Sequence, residues 1–362
     1  MDRALFWAER GRGRTSPNPI VGAVVVSPDG IVVGQGAHMK AGGPHAEVVA
    51  LDHAGDLARG ATLYCTLEPC SHRGRTGPCV ERIVAAGVRR VVAAITDANP
   101  LVAGQGLAYL EGHGIEVSLG VGGETAARQH APFFTWVRQR RPFVIVKAAA
   151  SVDGYVGQGD RRVKLTGLTA DRYFHRQRAE VDAIAVGAGT VLADDPLLTA
   201  RGAYRPRPLV RVLIDWRGRI PSSARVFTTV PAGPVIMVVL EETRAARPSH
   251  FQALEDQGVA IETFETRDLS RVLRRLAERE VVTLLVEGGP ALHGALADQE
   301  LVDRAQWVVT PRQLGGGVPL AASLFSVETA HAPRSSAVTR QLGDDLLIEF
   351  DVHRPDRSDR SH

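Results

Sequence analysis

Over roughly the first 120 residues, apolar positions alternate between short runs of period two and longer stretches of helical spacing, the pattern of a sheet with helices on its faces. "IVGAVVVSPDGIVVGQG" reads as a hairpin of two Val/Ile-rich strands joined at Pro28, Asp29 and Gly30. "PHAEVVALDHAG" predicts a helix opened by Pro44 and closed near Gly55. The strand "GATLYCTLEP", the helix "CVERIVAAG", the strand "VRRVVAAITD", the helix "GQGLAYLEGHG" and the strand "IEVSLGV" follow in turn.

This rhythm breaks over residues 122–142, where a polar helical segment runs into "RQRRPF". A second series begins at "FVIVKAAASVDGYVG": a helix over 169–180, strands at "VDAIAVGAG", "PLVRVLID" and "GPVIMVVL", a helix over 268–280, a strand "VVTLLVEGG" and a helix over 290–298. The β-like "RAQWVVTPRQL" and "DLLIEFDV" close it. We expect an α/β protein with a first domain over 1–122, a linker over 123–142, a second domain over 143–352 and a disordered polar tail over 353–362. The length agrees, since one hydrophobic core rarely serves 362 residues. No fixed-period repeat is visible.

Composition narrows the class. Apolar residues make up 44% and charged residues 23%, so the chain can bury cores and is not of the disordered type. The 43 basic residues are scattered among 40 acidic ones, leaving a net charge of +3, and no nucleic-acid partner is implied. Lysine is nearly absent: only Lys40, Lys147 and Lys164 occur. No apolar run approaches the roughly 18 to 20 residues of a membrane span, and the start lacks a signal-peptide core, so a cytoplasmic protein is expected. Its three cysteines should then stay reduced, favouring thiolate chemistry or metal ligation over a disulfide.

Two of those cysteines lie close together, in "TLEPCSHRGRTGPC". With His45 of "PHAEVVAL", Cys70 and Cys79 form a nitrogen and sulfur donor set that suits Zn2+ and leaves one tetrahedral position for water. Cys79 should begin the helix "CVERIVAAG", where free N–H groups stabilise a thiolate. Pro69 and Pro78 favour an extended approach to each sulfur. Zinc brings a bound water to a pKa of about 7, and Glu47, two positions after His45, is placed to shuttle its protons. His-x-Glu with downstream Pro-Cys is the signature of zinc nucleobase deaminases. The bland readings are two buried cysteines, or a structural zinc completed by His72 or His53. Cys65 reads as a small apolar residue within a strand.

The stretch "TSPNPIVGAVVV…GQGAHMKAGGPHAEVVAL…ATLYCTLEPCSHRGRTGPC…DANP" resembles the bifunctional pyrimidine deaminase–reductases of riboflavin biosynthesis, and the likeness runs nearly end to end. It implies a cytidine-deaminase-like three-layer α/β/α domain followed by an α/β domain similar to dihydrofolate reductase. It also implies a small-molecule pyrimidine ribosylamino phosphate as substrate, and NADPH beside zinc as cofactor. By that resemblance Asn18, His38, His72, Arg75, Asp97 and Asn99 line the deaminase pocket, although Asn18 and Asn99, each next to a proline, also suit plain turns. Gly77 stands where the family commonly has proline. The pattern is compatible with a homodimer.

In the second half, "LLVEGGPALHGAL" is a strand ending in Glu287, a Gly288-Gly289 turn and a helix start, which suits a phosphate and is equally an ordinary connection. The resemblance places Ala149, Lys164, Thr166, Thr190, Asp194, Trp216 and the segment Gly289, Pro290, Ala291, Leu292, His293, Gly294, Ala295 near NADPH. It places Arg162, Arg178, Leu198, Arg201 and Glu287 toward the substrate, with Lys147 and Glu287 as candidates for proton transfer. Lys147 alternatively snorkels to solvent. Arg162 and Lys164 in "RRVKLTG" replace a Ser-x-Trp of the family pattern, and Trp216 replaces a small residue. Two rival readings stand beside this one: a deaminase with a catalytically altered second domain, and a nucleic-acid base deaminase. The latter calls for a basic groove and stacking aromatics, against 5% aromatic residues here.

Overall fold

The computed structural model describes residues 1–72, 77–99, 103–158, 163–320 and 337–352, which form two compact units, Met1–Arg140 and Arg141–His362. Arg75, Arg162 and the tail expected over 353–362 lie outside the described residues.

In the first unit the elements are α1 (Asp2–Ala8), β1 (Gly22–Val26), β2 (Val32–Ala37), α2 (Ala46–Ala54), β3 (Thr62–Cys65), α3 (Cys79–Ala85), β4 (Arg90–Ala93), α4 (Gln105–Gly112), β5 (Glu116–Leu119) and α5 (Gly123–Gln139). The strands make one sheet in the order β2-β1-β3-β4-β5, antiparallel through the hairpin and parallel from β3 to β5. Ala23 and Val25 of β1 share a core with Ala46, Ala50 and Leu51 of α2, Val80 and Ile83 of α3, and Leu107 and Leu110 of α4. The opposite face is covered by α1 and α5, where Leu5, Ala94 and Ala126 pack together. With both faces covered, strands such as β1 read as continuous apolar runs instead of alternating ones.

Residues 123–139 form one helix that belongs to the first unit. Its buried Ala126, His130 and Phe134 recur every four positions, one stripe within a polar segment. Gly122 and Arg140, at φ 74° and 54°, bound it with left-handed backbone.

The second unit contains β6 (Phe143–Ser151), β7 (Tyr155–Gly157), α6 (Leu168–Glu180), β8 (Ala183–Gly187), α7 (Ala188–Asp194), β9 (Val210–Ile214), β10 (Val235–Leu240), α8 (Glu241–Ala246), α9 (Pro248–Asp256) and β11 (Ala260–Phe264). It continues with α10 (Leu269–Glu278), β12 (Thr283–Val286), α11 (Pro290–Asp298), β13 (Arg304–Thr310), β14 (Val318–Pro319), β15 (Val338–Leu342) and β16 (Asp345–Asp351). The main sheet runs β11-β10-β9-β8-β12-β6-β13-β16-β15, parallel from β11 to β13, with β16 antiparallel to both its neighbours. Helix α6 packs on one face through Ala170 and Phe174, against Val308 and Leu347. Helices α10 and α11 cover the other, where Leu269, Val272, Leu273 and Leu276 follow helical spacing. Asp303 binds Arg141 through two bonds of 2.6 and 2.8 Å and the Val144 N–H at 2.7 Å, tying the entry of β6 to β13.

One contact governs what the first sheet can carry. A Cβ at Gly34 would stand 2.1 Å from the Ala50 carbonyl oxygen, and one at Gly36 would stand 2.6 Å from that of Ala46 and 2.7 Å from Val49 Cβ. Helix α2 therefore lies directly on the backbone of β2. Gly36→Ala is expected to destabilise the first unit by about 1–3 kcal/mol through overpacking. Calorimetry should show the melting of that unit fall while that of the second stays in place.

Two candidate active sites

His45 occupies the N-cap position of α2, with extended backbone at φ −73° and ψ 160°, and Glu47 lies in the first turn of the helix. Cys79 is the first residue of α3, behind Pro78 at its N-cap. Cys70 follows β3, and its carbonyl accepts from the Val80 N–H at 3.3 Å. Two helix N-termini and one loop thus converge, and the ligand atoms of His45, Cys70 and Cys79 lie within 4.8 Å of one another.

His45 Nδ1 is 3.1 Å from Cys79 Sγ and 3.5 Å from Cys70 Sγ. A tetrahedral zinc with nitrogen at about 2.0 Å and sulfur at about 2.3 Å holds such atoms about 3.6 Å apart, so one ion fits among the three. The Cys79 N–H donates to Cys70 Sγ at 3.4 Å, the contact a thiolate seeks at a helix start. Cys70 is pulled down to about 4, chiefly by the Cys79 thiol that donates to it and, against burial, by His45. Cys79, the donor of that pair, is shifted up by this bond and by burial. His45 is raised, first by its bond to Cys70.

Among the described residues no fourth His, Cys, Asp or Glu joins the cluster. His53 turns its Nδ1 to the Gln35 carbonyl at 2.8 Å, in the last turn of α2, and His72 is exposed. Cys65 is fully buried in β3, its thiol 3.7 Å from the Val92 carbonyl. Glu47 is 4% exposed, and its Oε2 has no hydrogen-bond partner. Burial first, and the Cys70 charge second, push its carboxyl up to about 7.

Around this centre, His38 is buried and edge-on to His45, with ring centroids 5.3 Å apart. The Pro44 carbonyl, 3.0 Å from His38 Nδ1, can only accept, so Nδ1 carries the hydrogen. Nε2 then accepts from the Asn18 amide at 3.2 Å. Burial lowers His38, against the Pro44 bond and with the His45 charge. Asp97 accepts from the Asn99 N–H at 2.8 Å and is raised to about 6, mainly by burial.

Glu68 is the residue that motif reading passed over. Its carboxylate is 2% exposed and accepts the backbone N–H groups of Asp97 at 3.1 Å, Gly104 at 2.9 Å, Gly106 at 2.9 Å and Leu107 at 3.4 Å. One acid next to the Pro-Cys thus clasps the segment carrying Asp97 and Asn99 to the start of α4. A Cβ at Gly106 would stand 2.1 Å from the Pro69 carbonyl, so glycine is required there. The nearby Gly-x-Gly of "GQG" was the available signal.

In the second unit a cavity of about 770 Å³ opens where β6, β8 and β12 meet α6, α7 and α11. Its wall includes Lys147, Ala149, Lys164, Thr166, Arg178, Thr190, Asp194, Leu198, Arg201, Glu287, Gly289, Pro290 and His293. Of the segment after Gly289, Ala291, Leu292, Gly294 and Ala295 are not on this wall, because the helical turn carries them away. Leu292 and Ala295 pack into the apolar core and Ala291 is exposed. Trp216 is also absent from the wall; it packs against that core, edge-on to Phe264 at 6.5 Å. It follows β9, which β8 separates from β12.

Arg178 and Glu287 form a bidentate pair, both bonds 2.7 Å, with side chains 17% and 10% exposed. Burial pushes Glu287 up, but the Arg178 charge and bonds, with Lys147, outweigh it and hold the carboxyl below its usual range. The third nitrogen of Arg178 donates to the Thr199 carbonyl at 3.2 Å. Arg201 stands against the His175 ring, 3.1 Å from Nε2. Lys147 lies over the Phe174 ring, 4.5 Å from its centroid, and is lowered by burial. Lys164 is largely exposed and pairs with Asp171 at 2.9 Å, while Thr166 donates to the same carboxylate at 2.7 Å.

The wall also contains Asp171, Phe174, His175 and Arg225, which sequence reasoning did not single out. Asp171, Phe174, His175 and Arg178 follow i, i+3, i+4, i+7 spacing on α6, one helix face. Leu198, 3% exposed, adopts φ 52°, a left-handed conformation costing roughly 1–2 kcal/mol without glycine. Arg205 donates to the carbonyls of Arg178, Ala179, Val181, Asp182 and Pro208 and so closes the end of α6.

Comparison with known proteins finds a relative for each unit. Residues 1–95 match the cytidine and deoxycytidylate deaminase zinc-binding region, and residues 142–340 match the RibD C-terminal domain. The chain is 39% identical to the riboflavin biosynthesis protein RibD of Aquifex aeolicus over 97% of each sequence. It is 38% identical to that of Escherichia coli, over 97% of this chain and 98% of the other. The structure of Acinetobacter baumannii RibD superposes with a TM-score of 0.83 at 34% identity, covering 97% of both chains. That of the Thermotoga maritima diaminohydroxyphosphoribosylaminopyrimidine deaminase/5-amino-6-(5-phosphoribosylamino)uracil reductase gives 0.82 at 34% identity over the same coverage. The first unit is accordingly a zinc deaminase, the reductase half implies NADPH, and the chain belongs to the RibD family of bifunctional deaminase–reductases of riboflavin biosynthesis.

Proposed function

We propose that the first unit replaces the exocyclic amine of 2,5-diamino-6-(5-phosphoribosylamino)pyrimidin-4(3H)-one by oxygen, consuming water and releasing ammonia. The second unit then converts the ribosyl chain of the product to ribityl, giving 5-amino-6-(5-phosphoribitylamino)uracil. The observation that carries the reading is a buried, unpartnered Glu47 Oε2 beside the three convergent donors His45, Cys70 and Cys79. His45, Cys70 and Cys79 would hold the zinc, which would supply Lewis-acid activation. Glu47 Oε2 takes a proton from the attacking water, returns it to the ring nitrogen and assists departure of ammonia. Neutral His38, fixed by Pro44 and Asn18, and Asp97, fixed through Glu68, present polar edges to the pyrimidine. The three cysteines are all free, which suits the reducing cytoplasm.

The second unit would hold NADPH beside the Gly288-Gly289 turn, where it would supply a hydride for C1′ of the ribosyl group, and the ring oxygen released from C1′ would need a proton. Glu287, its two oxygens held by Arg178, serves as a fixed anion. Lys147, sheltered over Phe174, is then the proton donor. Leu198, Arg201 and His175 shape the substrate end, and the Gly288-Gly289 turn lies at the cofactor end.

Glu47→Gln should retain one zinc per chain by elemental analysis while ammonia release falls by about 100- to 10,000-fold. Unchanged release would remove Glu47 from the mechanism. Lys147→Met should lower NADPH oxidation with the deaminated substrate by at least about 100-fold, with ammonia release persisting. A reductase indifferent to this change would assign the proton elsewhere.

A further inference from the structure

Lys147 on β6 and Gln306 on β13 are in-register partners, and Gln306 is in turn the partner of Glu349 on β16. Such partners project from the same face, on strands about 4.8 Å apart. Glu287 follows Val286, the partner of Val146, and so flanks Lys147 on its other side. A polar row, Glu287–Lys147–Gln306–Glu349, therefore crosses four adjacent strands. The row of Ala149, Val308 and Leu347 beside it packs under α6, which identifies the covered face.

Gln306 is 1% exposed, and its Nε2 donates to Glu349 Oε2 at 2.6 Å. Its Oε1 is buried with no partner. An interior amide oxygen left unmatched costs roughly 1–3 kcal/mol, and folded proteins keep few of them. Beside it stands a group with the opposite deficiency. The Lys147 ammonium carries three N–H donors, lies over the face of Phe174 at 4.5 Å, and among the described residues makes no hydrogen bond.

We propose that Gln306 is a positioning residue of the reductase site, its Oε1 receiving an N–H of Lys147 while its Nε2 stays anchored on Glu349, so that the ammonium is held charged and aimed at the substrate. The inference rests on Lys147 being the proton donor. An acceptor beside an ammonium favours its charged form and raises its pKa. The other groups facing Lys147 are Glu287 from the end of β12, Asp171 and Arg178 from α6, Asp345 at the start of β16 and His293 from α11. Burial and Arg178 disfavour the ammonium, while Glu287, Asp171 and Asp345 favour it. Gln306 is the neutral member whose replacement by an apolar residue alters this balance without changing the charge.

The test is the pH profile of kcat/KM for NADPH oxidation with the deaminated pyrimidine, compared among wild type, Gln306→Leu and Gln306→Glu in the full chain. Loss of the protonated lysine sets the alkaline limb. Gln306→Leu should move this limb down by about half a pH unit or more and Gln306→Glu should move it up, with the KM for NADPH within about two-fold of wild type. Ammonia release by the same preparations reports an intact first unit. If Gln306→Leu fails to fold, the downward shift in Gln306→Met, which also leaves the charge unchanged, decides. Coincident limbs in the folded variants, with Lys147→Met inactive, overturn the role of Gln306 alone. Reduction surviving in Lys147→Met overturns the assignment of Lys147 and this inference with it.

Discussion

The seating of a helix directly on a strand, with no strand side chain at Gly34 or Gly36 to hold it off, is the constraint on which the first unit depends. Gly34 and Gly36 let the carbonyls of Ala50 and Ala46 approach β2, and this depth brings His45 and Glu47 to the sulfur loop. Gly106 performs the same service for α4 against the Pro69 carbonyl, one residue before Cys70. A thicker interface at either contact would separate donors that one ion must reach at once. Because α2 and α3 arrive by their N-termini, they also bring positive helix ends to the place where thiolates gather.

Each unit contains a buried carboxylate at its candidate site, and the two environments drive these acids in opposite directions. Glu47 has an oxygen without a partner and is shifted up, the condition of a group that exchanges protons. Glu287 is clamped by a guanidinium and shifted down, the condition of a group that holds a fixed charge. Similar side chains are thus assigned to different work by what surrounds them. The Pro-Cys motif needs a third acid, Glu68, whose four backbone partners show that it organises a loop.

Much of this was legible in the chain. The hairpin, the helix bearing His45 and Glu47, and the helix opening at Cys79 follow from turn chemistry, capping and apolar period, all of which are local. The three metal donors are chemically distinctive enough to be read without a structure. What stayed hidden is set by contacts between distant segments. The helix over residues 123–139 looks polar because its buried stripe is narrow, and only the sheet it covers explains Ala126, His130 and Phe134. Trp216 drew attention as an unusual residue, yet strand order carries it off the cavity wall and sets it, partly buried, against the core. Gln306 gave no signal at all, since its significance lies in facing Lys147 across a parallel register.

The scarcity of lysine, a seeming habit of composition, takes on another aspect in the interior. Arg205 gathers five carbonyls from the end of α6 and the segment beyond it, and Arg141 grips both oxygens of Asp303. A flat, forked cation can bind several acceptors lying in one plane, whereas a tetrahedral ammonium must abandon some of them. Exchange of arginine for lysine, tolerable on an outer surface, would therefore unpick the clasps that close the end of α6 and join the entry of β6 to β13, and charge alone would not reveal the loss.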